Sequence, residues 1–293
     1  MRLGYYLVGR SMDDNAQLPI LVSLMHLTEK RSFRLEVGAS AERLPAEALA
    51  QRLGEFASGM HGLMLSGLLD VETLHALPRE LERVVVLGRL LGASATATPD
   101  GSAKQAPDHS QAATRLLTTI APDDQKAGAT AVERLLRRGH RRIAFVAEEV
   151  IPNLHVAGLL AGYRLAHFDA DVPLDPALLA ISGRSRSGGG FAVDQLGKLD
   201  DPPTGFVLVD PRIAQGFLDE AQRQRRPVDH RDVVVIGMAS ELRLRGMREV
   251  PAVTTDAQMF SSIALQHLLH PPIDVDRSGV VDVRVPVQTL NFD

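Results

Sequence analysis

Residues Thr119–Val146 read TIAPDDQKAGATAVERLLRRGHRRIAFV, and this stretch sets the architecture. Asp123 and Asp124 stand at the start of a helical segment whose apolar face is Ala131, Val132, Leu135 and Leu136. Acids at the first turn, Arg137 and Arg138 in the last turn and Gly139 as the stop all complement the helix dipole and its free backbone groups. Arg142–Ala147 then reads as a buried strand. A β-type run therefore leads into an amphipathic helix and out into a second β-type run, the unit from which parallel sheets are built.

The same alternation runs outward in both directions. Strands are expected near 2–8, 33–37, 61–65, 83–87, 117–121, 142–147, 177–182, 204–209, 232–236 and 280–287. Further helices are expected near 14–30, 45–58, 155–168, 188–199, 211–224 and 256–270. Ten strands are many for one sheet in 293 residues, so two α/β lobes of about five parallel strands each fit better. Residues 92–115 break the rhythm; they are rich in Ala, Ser, Thr, Gly, Pro and Asp without apolar periodicity, and read as a flexible insertion.

Composition narrows the chemistry. The formal charge of −4 supplies no global basic field for holding a polyanion. The absence of cysteine removes disulfides, thiolate nucleophiles and cysteine-based metal sites. The first residues, MRLGYYLVGR, carry an apolar run too short for a secretory signal, and no stretch reaches the roughly 18 apolar residues of a membrane span, so a cytoplasmic protein without membrane contact is expected.

Several motifs along the chain resemble the LacI/GalR family of transcriptional regulators. They are Asp123 at the end of a strand, Gly139-His140-Arg141-Arg142-Ile143 entering the next, and Gly162-Tyr163 in the following helix. In order come Pro203-Thr204 before Phe206–Val209, Ala214 and Gly216, Asp232-Val233-Val234-Val235-Ile236-Gly237, and Pro251-Ala252-Val253-Thr254-Thr255. The resemblance implies two doubly wound parallel-sheet lobes with a cleft, of the periplasmic-binding-protein-like type I, with three chain crossings between lobes. Lobe boundaries are expected at 1–147 plus 254–275 and 148–253 plus 276–293. It further implies ligand sensing, a homodimer, and operator DNA contacted only through a helix-turn-helix headpiece that this sequence does not include. A solute-binding protein of a transporter shares the fold, as does a stand-alone sensor with a degenerate pocket; the Gly-His-Arg-Arg-Ile segment is more typical of the regulators.

Ligands in such folds lie beyond the carboxyl ends of strands. By that rule and the resemblance, the expected contacts are Arg10, Ser11 and Asp13 after the first strand, Ser66 after the third, and Asp123, Leu159, Phe191, Asp210, Ala239, Gln258 and Phe260. Sugar-sensing relatives carry an Arg where this chain has Leu159, Asn-Asp where it has Asp210-Pro211, and an Asp where Gly237-Met238-Ala239-Ser240 stands. Each buried sugar hydroxyl left unpaired would cost about 1–3 kcal/mol, which disfavours a typical hexose. Either a less hydroxylated ligand or a degenerate pocket is left, with sugar binding through unfamiliar contacts as the third reading. Taken singly, Asp123 reads equally as a helix cap and Phe260 as core.

Other constellations are weaker. Ser187-Gly188-Gly189-Gly190 beside Arg184 and Arg186 reads as a loop before a helix rather than an anion cradle, since no Lys-Ser/Thr follows. The cluster Arg137, Arg138, His140, Arg141 and Arg142 reads as a solvated helix end and loop. Ten histidines show no metal-ligand spacing, and neither a G-x-S-x-G elbow nor a convergent carboxylate pair is visible, so no metal, cofactor or catalytic set is expected.

Overall fold

Strand and helix alternate along nearly all of the computed structural model, which describes residues 1–9, 17–42, 44–67, 69–70, 73–74, 77, 81, 83–91, 116–148, 154–183, 185–226, 228–271 and 280–292. The expected insertion at 92–115 lies outside the described residues. In chain order the elements are β1 (Arg2–Val8), α1 (Leu18–Glu29), β2 (Arg34–Ser40), α2 (Ala46–Ala57), β3 (Gly62–Gly67), β4 (Leu69–Asp70), β5 (Arg83–Leu87), β6 (Leu90–Leu91) and β7 (Leu116–Pro122). There follow α3 (Asp124–Arg137), β8 (Ile143–Ala147), α4 (Leu154–Asp169), β9 (Leu179–Ile181), α5 (Arg186–Leu196), β10 (Gly205–Val209), α6 (Pro211–Arg223), β11 (Val233–Met238), α7 (Ala239–Leu244) and β12 (Ala252–Thr255). The chain closes with α8 (Ala257–Leu269), β13 (Val280–Val285) and β14 (Gln288–Leu290).

Two units emerge, Met1–Ala121 with Gln258–Val285 and Pro122–Ala257 with Pro286–Asp293. The first holds a six-stranded sheet in the order β13-β7-β5-β3-β1-β2, and the second a six-stranded sheet in the order β14-β12-β11-β10-β8-β9. Pairings among β2, β1, β3, β5 and β7 are parallel, as are those among β9, β8, β10, β11 and β12. Strand β14 runs antiparallel on β12. The short pair β4 and β6 forms a separate ribbon.

Four expectations are corrected. The first crossing falls at Ala121 and Pro122 rather than after Ala147, because β8 pairs with β9 and β10 and α3 packs along α4. The run expected at 280–287 is split at Pro286, which lacks the N–H a ladder needs, so β13 joins the first sheet and β14 the second. Strand β12, quoted only as a motif, is a full member of the second sheet, and α7 follows β11 where no helix was expected.

The motifs quoted above are mostly scaffold. Strand β8 is buried throughout, as expected for a parallel strand covered on both faces. Helix α3 buries Ala131, Val132 and Leu135 against it. A side chain at Gly128 would collide with the backbone of Leu159, and one at Gly162 with that of Gln125, so these glycines let α3 and α4 touch backbone to backbone. Tyr163 then donates its hydroxyl to Ile143 O at 2.8 Å and packs its ring 5.3 Å from that of Phe145. Burial pushes the Tyr163 phenol well above its ordinary value. Gly139 ends α3 at φ +93, and His140 bridges Thr204 Oγ1 and Asp232 Oδ1, each at 3.0 Å. Arg134, buried at 3% exposure, donates to Arg231 O and Asn291 O and lies over the Phe292 ring, holding the returning chain onto α3.

Candidate functional site

In an open parallel sheet the strand order reverses at one place, and ligands gather outside the carboxyl ends there. In the first unit that place lies between β1 and β3, which end at Val8 and Gly67. In the second it lies between β8 and β10, which end at Ala147 and Val209.

The first unit's switch point carries a compact polar group. Ser66, 1% exposed, places Oγ 2.8 Å from Gln17 Oε1, and Tyr5 donates its hydroxyl to the same oxygen at 3.1 Å. Two donors on one acceptor leave the Gln17 amide nitrogen as a donor for something else. Gly67 follows at φ +131, where a side chain would collide with Val8 O, so β3 can end against β1 only through glycine. Gln17 was not singled out from the sequence; its position one residue ahead of α1, across from the strand end, was the available signal.

The second unit's switch point is charged. Asp210 sits at φ +92 and ψ 127, a region that L-residues avoid at a cost of about 1–3 kcal/mol. Its carboxylate is 9% exposed and accepts from Arg212 three times: from the backbone N at 2.7 Å, from Nε at 3.1 Å and from Nη2 at 2.8 Å. The same carboxylate thereby caps α6, whose Pro211 supplies a fitting φ at the first turn. Arg212 was missed because two charged residues on either side of a proline at a helix start look like an exposed pair. Asp124, 1% exposed at the start of α3, holds His155 Nδ1 at 2.7 Å on α4. Asp123 caps α3 by accepting from Lys126 N at 3.1 Å.

The remaining expected contacts disperse. Leu159 is fully buried within the core of the second unit, on the α4 surface that meets α3. Phe191 is 61% exposed in the middle of α5. Ala239 opens α7 directly after β11. Gln258 is exposed near the start of α8, and Phe260 is buried two residues on. Arg10, Ser11 and Asp13 lie outside the described residues.

Two further motifs are settled by packing. Gly188, Gly189 and Gly190 lie inside α5 rather than in a loop before it, and Ser185 Oγ already accepts from Gly188 N. A side chain at Gly189 would strike Ile213 O and one at Gly216 would strike Arg186 O, so these positions serve the α5–α6 contact. The basic cluster is largely paired: Arg138 meets Asp232 at 3.0 Å, and Arg142 meets Asp175 and Asp201, each at 3.0 Å. Among the described residues no group of three or more His, Asp or Glu is placed to hold a metal, and no helix is long and apolar enough to cross a membrane.

Comparison with known proteins points one way. No family model matches the chain. The HTH-type transcriptional repressor CytR of Escherichia coli K12 is 33% identical over 122 residues, 41% of this chain and 35% of that protein. Catabolite control protein A of Priestia megaterium is 26% identical over 124 residues, 42% of this chain and 37% of that protein. The matched stretch thus spans little more than a third of each curated relative. Over 98% of this chain and 96% of the other, the structure resembles a LacI-family regulatory protein from Chloroflexus aggregans at a TM-score of 0.74 and 17% identity. A LacI-family regulator from Enterococcus faecium, with bound ribose, gives a TM-score of 0.71 at 17% identity over 99% of this chain. Those solved structures define the class: two α/β units of the periplasmic-binding-protein-like kind. In both sequence and fold, the chain is similar to LacI-family transcriptional regulators.

Proposed function

We propose that this chain is the effector-sensing and dimerising core of a LacI-type DNA-binding regulator, acting as a repressor, whose small-molecule effector engages strand-end loops at a switch point. The observation that carries the reading is the Asp210–Arg212 pair. A buried carboxylate is kept in a left-handed backbone region that favours glycine, at the strand end where ligands of this fold gather, and strain of that kind clusters at functional sites. The similarity to CytR and to a regulator with bound ribose supports a regulator that reads a small polar molecule. Gln17 and Ser66 supply neutral donors and acceptors on one unit, Arg212 and Asp210 charged ones on the other. A ligand with few hydroxyls suits so small a polar set better than a hexose. Regulation then follows from differential affinity: only a ligand that binds one conformation of the chain better than another changes what the dimer presents to operator DNA through its headpieces.

The test begins with a thermal-shift screen of pentoses, nucleosides and small organic acids, followed by calorimetry of a hit on wild type, Gln17→Ala and Arg212→Ala, and by mass spectrometry of the recovered hit. Binding weakened about tenfold or more by each substitution, with the compound recovered unchanged, is the expected result. A ligand indifferent to both changes would remove the site, and its chemical conversion would replace the regulator with an enzyme. Sedimentation showing a monomer at all concentrations would remove the dimerising role.

A further inference from the structure

The second unit has a hollow at the opposite ends of its strands. A cavity of about 590 Å³ opens where β8, β10 and β11 begin and where α5 and α6 end, a size in the range of pockets that hold drug-sized molecules. Its apolar wall is built from Leu196, Phe206, Phe217 and Val228, the two rings lying 4.9 Å apart. Its polar wall is almost entirely self-satisfied. His140 is engaged at both ring nitrogens, by Thr204 and Asp232, and Asp232 is further neutralised by Arg138 at 3.0 Å.

Arg226 is the exception. Its guanidinium donates Nη1 to Val193 O at 3.1 Å, in the last turn of α5, and among the described residues it has no carboxylate partner. It occupies the space that a side chain at Gly197 would fill, so the glycine admits the cation to the mouth of the cavity. A guanidinium offers five N–H donors, and one is used. Among the described residues the cavity therefore presents one uncommitted positive charge beside an aromatic and aliphatic wall.

We propose that this cavity is a second ligand site, which takes a small organic anion with a ring-sized apolar body, the anionic group on Arg226 and the body against Phe206, Phe217 and Val228. Apolar burial holds the body, and the guanidinium, short of a carboxylate of its own, selects the anion. The helix-capping bond to Val193 O orients the guanidinium without consuming its charge. Because the site sits at the amino ends of the strands of one unit, it is independent of the effector site proposed above.

Two dyes of matched shape test this on the whole chain: 8-anilinonaphthalene-1-sulfonate, which carries an anionic sulfonate, and N-phenyl-1-naphthylamine, its neutral counterpart. Fluorescence titrations are run on wild type, Arg226→Gln and Val228→Trp, with circular dichroism confirming the fold of each. Arg226→Gln retains a donor for Val193 O and removes the charge. The expected result is saturable binding of the anionic dye to wild type, weakened about tenfold by Arg226→Gln while the neutral dye is unaffected, since charge-assisted contacts are lost only for the anion. Val228→Trp, which fills the hollow, should weaken both dyes. Anionic-dye affinity unchanged by Arg226→Gln, or no saturable binding to wild type, overturns the proposal, and Arg226→Gln keeps that decision available should Val228→Trp fail to fold.

Discussion

The two sheets end their switch-point strands by different means. In the first unit β3 turns away through Gly67 at φ +131, with the Val8 backbone where a side chain would stand, and the adjoining polar group is neutral: Ser66, Gln17 and Tyr5. In the second unit β10 turns through Asp210 at φ +92, and the adjoining group is an ion pair with Arg212. Glycine makes such a turn without strain, whereas an aspartate makes it at a cost that its cap and its arginine must offset. One sheet has kept the turn at low cost; the other has kept a carboxylate. The contrast separates a position that geometry dictates from one where a side chain stands against the preference of its backbone.

The contrast can be broken most forcefully at Gly67. Gly67→Ala should destabilise the protein by about 3 kcal/mol or more in urea denaturation, because a Cβ there collides with backbone that cannot yield cheaply. A loss below about 1 kcal/mol would mean that β3 can end without its close approach to β1. Next in size is a paired substitution at Asp210. Asp210→Ala and Asp210→Gly both lose the cap and the Arg212 partner, so their difference isolates the backbone strain, and the glycine variant should be the more stable by about 1–2 kcal/mol. Equal stabilities would show that φ +92 stores nothing at this site.

Asp123→Ala should cost about 1 kcal/mol, the usual worth of an N-cap, read from the denaturation midpoint. Should calorimetry also show weakened effector binding, Asp123 serves the ligand as well as its helix. The smallest effect near neutral pH concerns His167, 1% exposed, whose pKa burial holds below its ordinary value, although the Tyr163 carbonyl opposes this by accepting from Nδ1. Folding therefore favours the neutral ring, and the unfolded chain binds the extra proton once pH falls below about 6.5. Stability is fully present above that value and declines below it until the folded histidine also titrates. His167→Asn keeps a donor for Tyr163 O without titrating, so its thermal midpoint should fall less between about pH 7 and 5 than that of wild type. His267 in the first unit is shifted in the same direction by burial, and a slope that survives His167→Asn undiminished would assign the acid sensitivity to it or to other groups.

Much of the fold was legible in Thr119–Val146 and in the alternation around it, since a helix with charged ends and a buried strand are local matters of spacing and capping. The lobe boundary was not, because β8 could be assigned to a sheet only by its partners β9 and β10. The site was legible in part. Ser66 and Asp210 were reached by counting to strand ends, while Gln17, Arg212 and the Asp124–His155 pair were not, since their roles depend on which side chains converge across elements. Leu159 illustrates the opposite case: its place relative to Gly162-Tyr163 marked it as a contact, yet the close approach of α3 and α4 at Gly128 puts it in the core.

By itself the sequence determined most element types and the parallel α/β class, because hydrophobic period, caps and turn residues act over a few positions along the chain. Only the tertiary structure decided which strands share a sheet, that Gly-His-Arg-Arg-Ile and Gly-Tyr are scaffold, and that Asp210 holds Arg212 at a strained strand end. Those outcomes depend on pairing and packing between residues far apart in sequence, and the local pattern carries no record of them.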